Sequence, residues 1–411
     1  MRRLRAILGP AVAFVLLITP ASASPISPGS LDTSFASVGY VTNNMVIQSL
    51  VVQPDHKVVV AGDVWRPDGP HFGIYRYQAD GALDPAFGSK GRVVMDQATA
   101  GSSMSVALQA KGRLLVSGQL DGRVSLSRFL SNGALDPSFS GDGRRLFKTS
   151  GAGLKVQVDP AGAIDILVDN FGTDGVLQVM PNGSVNQAFG KHGLATVGCE
   201  GAGDNGMALQ GRKILVAGDR PDSHGSDFCV QRVQPNGTIS TTFGPGGLPK
   251  IGFANSAGAA AVAYSGAART ITVVGTVDAS TPDKSYTALA RLHLNGSLDT
   301  SFGTGGRVVT TDRQLGIRSS DGEGLGVVMD GTDTVLVGFT HSAQWEVVRY
   351  TSSGALDKGF GAAGLIPPTF TGNAMAEAVA LDGSRIVVGG LNNPDEEFDI
   401  APDGGLARYH G

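Results

Sequence analysis

Seven copies of one phrase, G-x-L-D-x-x-F or a near variant, commit this chain to a repeat architecture. They begin at Gly29, Gly81, Gly133, Gly183, Gly237, Gly296 and Gly354, separated by 52, 52, 50, 54, 59 and 58 residues. The phenylalanine never varies: Phe35, Phe87, Phe139, Phe189, Phe243, Phe302 and Phe360. The aspartate stands at Asp32, Asp84, Asp136, Asp299 and Asp357 and gives way to Asn186 and Ser240 in the remaining two copies. Two further phrases recur in step. One reads "VALQAKGRLLVSG", "MALQGRKILVAGD" or "VALDGSRIVVGGL"; the other, "CVQRVQPNG", "ALARLHLNG" or "VVRYTSSG", runs into the glycine. A period near 50 residues with this internal layout indicates propeller blades, not a solenoid of helices.

Each unit reads as four short strands. Leu114-Leu115-Val116, Ile214-Leu215-Val216 and Ile386-Val387-Val388 are apolar on consecutive residues and bounded by glycine. This is the chemistry of strands covered on both faces, as blades packed between neighbours are. Asn132-Gly133, Asn182-Gly183, Asn236-Gly237 and Asn295-Gly296 predict two-residue hairpin turns with both central residues at positive φ. On that reading the strands are "VALQ", "ILVAG", "ALARL" and "SLDTSF", and "GRVV" leads to the next blade. The chain opens on a fourth-strand phrase at Gly29 and closes on "GGLARYHG", a third strand without its fourth. If the two ends share a blade, the ring closes with seven blades and no sheet edge is left over. The expected fold is therefore an all-β, seven-bladed propeller of four-stranded antiparallel blades, occupying residues 24–411.

The phrases "VALQAKGRLLVSG" and "NGSLDTSFGTGGRVV" resemble the delta-60 repeat, a bacterial β-propeller repeat common in exported proteins. The resemblance covers essentially the whole chain after its leader. It implies a propeller and transfers no activity, cofactor or catalytic residue.

The leader itself is "MRRLRAILGPAVAFVLLITPASAS". Arg2, Arg3 and Arg5 precede an apolar stretch from Ala6 to Ile18, and Ala21-Ser22-Ala23 supplies small residues for cleavage between Ala23 and Ser24. That order is a secretory signal peptide over residues 1–23, and the apolar stretch, interrupted by Pro10, is too short to span a bilayer. Its removal takes the formal charge from −4 to −7. An acidic chain without Lys/Arg runs excludes nucleic acid and anionic membrane surfaces as expected partners. No membrane span is expected, and the protein is expected to be extracytoplasmic and monomeric. Cys199 and Cys229, the only cysteines, form a possible disulfide for such a chain.

Candidate chemistry is sparse. The recurring aspartates suggest a ring of cation ligands, but a residue repeated at one place in every blade reads first as a structural device. Arginine recurs five residues before the repeat glycine, at Arg76, Arg128, Arg232, Arg291 and Arg349, with Arg408 in the last strand. Across a two-residue turn Asp84 lies opposite Tyr77, so an Asp–Arg contact is expected to cross between blades. The copy with Asn186 also carries Gln178 in place of arginine, as loss of a pair predicts. His56, His71, His192, His224, His293, His341 and His410 show no metal-ligand spacing, and neither a nucleophile elbow nor a phosphate loop is present. No cofactor, metal or catalytic residue is predicted.

The long connections at 63–73, 219–228, 277–287, 310–324 and 392–399 share one face of an up-and-down propeller. Binding residues concentrate on loops held by a rigid scaffold. The candidates there are Trp65, Arg66, Asp68, His71, Asp222, His224, Asp227, Asp283, Arg318, Asp321, Glu323 and His341. Their chemistry suits an extracellular protein, a glycan or a small polar ligand. The expected function is a non-catalytic binding or scaffold module. The alternative is a propeller hydrolase or lactonase with its site at the pore mouth, and a third reading is a structural spacer. Three or more Asp, Glu and His converging on the pore would favour the enzyme; a pore lined by small residues would favour binding.

Overall fold

The computed structural model describes residues 27–67, 69–98, 105–169, 174–199, 206–223, 225–279, 285–311, 314, 323–339, 344–370, 372–393 and 403–411. Seven antiparallel sheets stand around a central channel. Blade 1 shows the plan: an inner strand Met45–Val52, then Val58–Arg66, Gly69–Tyr77 and an outer strand Arg92–Ala98. Blades 2, 3, 4, 5 and 6 begin at Ser105, Ala152, Gly206, Ala257 and Glu323. Blade 7 holds Asn373–Asp382, Arg385–Asn393 and Asp403–His410, and its outer strand is Tyr40–Asn43 from the other end of the chain. Tyr40 lies opposite Ala407 and Asn43 opposite Gly404, so the shared blade closes the ring.

Core lies between blades, because each sheet offers an apolar face to both neighbours. One cluster joins Val59, Ile74 and Phe87 of blade 1 to Leu114, Val116 and Phe129 of blade 2. Consecutive apolar residues in the middle strands thus serve two different interfaces.

Two local expectations are corrected. The repeat phrase is a folded turn, and the outer strand is the following "GRVV" segment: Arg92–Ala98 in blade 1, Arg144–Ser150 in blade 2, Arg307–Thr310 in blade 5. The Asn-Gly connection is likewise a three-residue loop. The Gly133 N–H donates to the Leu130 carbonyl and the Leu130 N–H to the Ala134 carbonyl, and of Asn132 and Gly133 only the glycine has positive φ, at 86°. This is a type I turn followed by a bulge glycine. The Asn132 side chain completes it by accepting from the Ala134 N–H.

The extra loop residue shifts the register by one. Leu135 pairs with Phe129 and Leu83 with Tyr77, so Asp136 lies opposite Arg128 and Asp84 opposite Arg76. Aspartate and arginine therefore share a face within one blade.

Close approach between blades explains why the phrase begins with glycine. In every copy the residue after the invariant phenylalanine donates its N–H to the carbonyl just before the next blade's repeat glycine. Ala36 donates to Asp80, Gly88 to Asn132, Ser140 to Asn182 and Gly190 to Asn236. Gly244 donates to Asn295, Gly303 to Ser353 and Gly361 to Pro28, which completes a ring of seven. A Cβ on Gly237 would lie 2.1 Å from the Gly190 nitrogen, and one on Gly29 2.6 Å from that of Gly361. Any side chain there would push the previous blade away.

Blade 6 departs from four regular strands. On its outer side the Trp345–Tyr350 strand meets the short run of Gly364, Leu365 and Ile366 before Pro367-Pro368. Proline has no N–H for a ladder, so an outer strand cannot continue there. Trp345 and Phe370, 4.9 Å apart, fill the space instead.

Candidate functional site

The face of the short turns carries a ring of buried arginines. The Arg128 Nε–H donates to Asp136 Oδ2 at 2.9 Å, and an Nη donates across the seam to the Pro181 carbonyl of blade 3. Its guanidinium also lies over the Phe139 ring, 4.7 Å from the centroid. Arg76 repeats this with Asp84, Phe87 and the Ser131 carbonyl. Arg291 repeats it with Asp299, Phe302 and the Ser352 carbonyl. Arg408 does so with Asp32, Phe35 and the Ala79 carbonyl, joining the two ends of the chain. Arg349 has Asp357 and Phe360, with Asp330 as a second carboxylate. The Asp–Arg contact thus lies within a blade, and the arginine crosses the seam to a carbonyl. Phe35, Phe87, Phe139, Phe189, Phe243, Phe302 and Phe360 are fully buried beneath this ring.

These aspartates are committed to structure. Burial by itself raises the Asp136 carboxyl, but hydrogen bonds from Ser138 and the guanidiniums of Arg128 and Arg113 outweigh it and hold the pKa below the usual range. Asp32, Asp84 and Asp299 are lowered by the same balance. Asp136 Oδ1 accepts from both the Ser138 N–H and hydroxyl, which fixes the turn.

Two blades replace the pair. In blade 4 Arg232 donates to the Ser240 hydroxyl and the Leu294 carbonyl over Phe243, and burial lowers its pKa. In blade 3 a neutral chain substitutes: Asn186 donates to Gln178, and Gln178 donates to Asp165. Asp165 occupies the strand position held by Leu115 and Leu215 in the neighbouring blades. It is fully buried, and burial raises its pKa to about 7.

The central channel, about 420 Å³, is walled by the inner strands of all seven blades. Val51, Val106, Val158, Leu209, Val262 and Val379 represent the lining, with Lys155, Glu377, Gln48 and Gln157 as its long polar side chains. The wall carries one acid, and among the described residues no group of three or more His, Cys, Asp or Glu could hold a metal ion.

On the long-connection face the expected connections at 63–73 and 219–228 prove to be mostly strand, Val58–Arg66 returning as Gly69–Tyr77 and Lys213–Asp222 as Gly225–Val233. Trp65, near the end of its strand, is 41% exposed and Arg66 is exposed beside it. His71 is buried and bonds the Met95 carbonyl through Nδ1 at 2.9 Å, so it positions backbone and does not face solvent. Asp227 is half-buried on the strand Gly225–Val233, next to the bridge between Cys199 and Cys229. That disulfide ties the connection leaving blade 3 to the third strand of blade 4. For Asp222 and Glu323 only the backbone is described. Asp68, His224, Asp283, Arg318, Asp321 and His341, and the cleavage site at Ala23 and Ser24, lie outside the described residues. Sequence reasoning missed Asp63 and Asp165, buried acids inside apolar strands; burial raises Asp63 to about 6 against one hydrogen bond from Gln48.

Fold and ring together define a seven-bladed β-propeller repeat protein. Within it, residues 53–87, 109–139 and 270–302 match the family described as "Domain of unknown function (DUF5122) beta-propeller". No curated protein sequence matches the chain. Among solved structures it is similar to virginiamycin B lyase from Staphylococcus aureus, with a TM-score of 0.52 at 11% identity over 90% of this chain and 98% of that one. It is similar to the polysaccharide lyase Uly1, TM-score 0.52 at 10% identity, over 89% and 90%. A third likeness is Chaetomium thermophilum Sqt1, solved bound to the N-terminus of a ribosomal protein, TM-score 0.50 at 12% identity over 90% and 98%. At such identities these likenesses establish the fold alone. No helix among the described residues is long and apolar enough to cross a membrane.

Proposed function

We propose that the protein is an exported, monomeric, non-catalytic propeller that binds an extracellular protein, glycan or small polar ligand on its long-connection face. The observation that carries this reading is the channel wall, mostly valine, leucine and small residues, in which Glu377 is the acid and Lys155 the cation. Propeller enzymes need several acid, base or cationic groups converging on one substrate, and the described wall offers no such group. The opposite face supports the same reading, because its buried arginines are engaged with aspartates of their own blade and with carbonyls across the seam. Trp65 and Arg66 present an aromatic plate and a cation, a pairing suited to sugars and peptides. The test is a glycan-array and envelope pull-down screen with the chain from Ser24. A binder whose capture is lost with Trp65→Ala, at unchanged Tm, is the expected result. Turnover of lactones or polyuronides, with a stoichiometric metal in the purified protein, would overturn the reading.

A further inference from the structure

Between blades 1 and 2 lies a partly enclosed crevice of about 80 Å³ that reaches Gln119 and Leu120, where the strand Arg113–Leu120 ends towards the long-connection side. Phe72, Met95, Val116, Leu120 and Leu146 form its apolar floor. Ser125 and Ser127 line one wall, and Arg144 and Arg145 stand exposed at its edge.

Comparison around the ring shows where the room comes from. Ser127 lies opposite Val116, as Tyr75 lies opposite Val60, Leu177 opposite Ile166 and Val348 opposite Leu336. Tyr75, Leu177 and Val348 fill their seams as buried residues. Blades 5 and 7 have Ala290 and Ala407 at the position, and there Phe253 and Phe370 pack into the adjoining core. At the seam of blades 1 and 2 the position is a serine. The space is also held open by construction, because His71 binds the carbonyl of Met95, a floor residue.

The polar groups suit an anion. The hydroxyls of Ser125 and Ser127 have no protein hydrogen-bond partner among the described residues. No described carboxylate side chain pairs with Arg144 or Arg145, in a chain whose formal charge is −4. The Arg144 side chain has only a 3.9 Å approach to the Met95 sulfur, and Arg145 lies over Phe147 at 5.8 Å. A guanidinium presents a planar fork of donors that matches a carboxylate. At roughly 10–15 Å³ per water, the crevice holds about five to eight non-hydrogen atoms.

We propose that this crevice binds a small carboxylate with an apolar tail of about five carbons, aliphatic or aromatic, its head at Arg144 and its tail on Phe72 and Met95. The inference deepens the reading of the long-connection face as the ligand face and rests on it.

The experiment is calorimetric titration of the chain from Ser24 with propionate, butyrate, hexanoate, octanoate and hexanol. Affinity should rise about fourfold per added methylene, the ratio expected for burying one such group, and level off near hexanoate. Hexanol should bind at least tenfold more weakly than hexanoate. Arg144→Gln should remove that difference, and Ser127→Leu should abolish binding while leaving Tm unchanged or raised. Equal binding of hexanoate and hexanol, affinity that keeps rising through octanoate, or no saturable hexanoate binding at 10 mM would overturn the proposal. Should these fail while Trp65-dependent capture of a glycan or protein persists, the crevice assignment falls and the broader reading stands.

Discussion

Replacing Asp136 with alanine tests whether the repeated aspartate is a structural device. The carboxylate accepts from Arg128 Nε at 2.9 Å and from the Ser138 N–H and hydroxyl, pairs as an ion with Arg113, also at 2.9 Å, and its side chain is 3% exposed. Alanine removes all four contacts and leaves the buried Arg128 without its counter-charge. Breaking a buried pair from one side costs about 3–5 kcal/mol. Blade 4 keeps Arg232 with no carboxylate, on Ser240, Gln210, the Leu294 carbonyl and Phe243, so the lower end of that range applies. An unfolding entropy near 2.1 cal/mol/K per residue gives roughly 0.8 kcal/mol/K for the whole ring, so about 3 kcal/mol lowers Tm by about 4 °C. Asp136→Asn keeps the turn and loses the charge, and should lower Tm by about half as much. The pH sign follows from the lowered pKa. Stability from Asp136 is present above its unfolded pKa and disappears as pH falls through the depressed folded value. The gap between wild type and Asp136→Ala should therefore narrow below about pH 4. Scanning calorimetry at pH 7 and pH 3 reads both quantities. A Tm loss under 1 °C, or a gap that persists undiminished at pH 3, would refute the reasoning.

Two further outcomes are expected. Asp165, with its pKa raised to about 7, contributes stability below its unfolded pKa that is lost as pH rises through the folded value. Urea melts of Asp165→Asn should show a flatter stability slope between pH 4 and 7 than wild type and a higher midpoint at pH 8. Reducing the Cys199–Cys229 bridge, which closes a loop of 30 residues, should cost about 3–4 kcal/mol by loop entropy, read as a Tm fall of about 4–5 °C.

Blade number, ring closure and the buried phenylalanines were legible in the sequence because seven copies average out local accidents. The placement of the outer strand was not. Asn-Gly serves both a two-residue and a three-residue loop, and only the hydrogen bonds of Leu130 and Gly133 distinguish them. The facing of Asp136 and Arg128 followed that choice and so was misplaced by one residue. Gln178 and Asn186 did signal a lost ion pair, whereas Asp165 was overlooked because its strand reads as apolar, "IDILVD". Setting the seven copies side by side exposes it, since Leu115 and Leu215 stand at that place. The crevice was invisible for a related reason: Ser127 is unremarkable alone and informative only against Tyr75 and Leu177. Site chemistry differs from blade to blade, and repetition gives no help with what is not repeated.

Closure by a shared blade also sets an order of events in folding. Within a blade, strands meet across a few residues, but Tyr40–Asn43 must find a partner near the other end of the chain, and Asp32 must reach Arg408, 376 residues away. Closing a loop of that length costs about 3 kcal/mol more than closing one of a dozen residues. Until Asp403–His410 has been synthesised, the N-terminal strand has nowhere to dock. Six blades can thus assemble on neighbouring contacts while the seventh waits as an open edge, the place where two incomplete rings would exchange strands. Arg408 is held at that junction by Asp32, Asp382, Ser34, the Ala79 carbonyl and the Phe35 ring, more partners than Arg76 or Arg128 has. The strongest clasp therefore stands where association has the largest entropic deficit, and a ring weakened at Arg408 should dimerise before it unfolds.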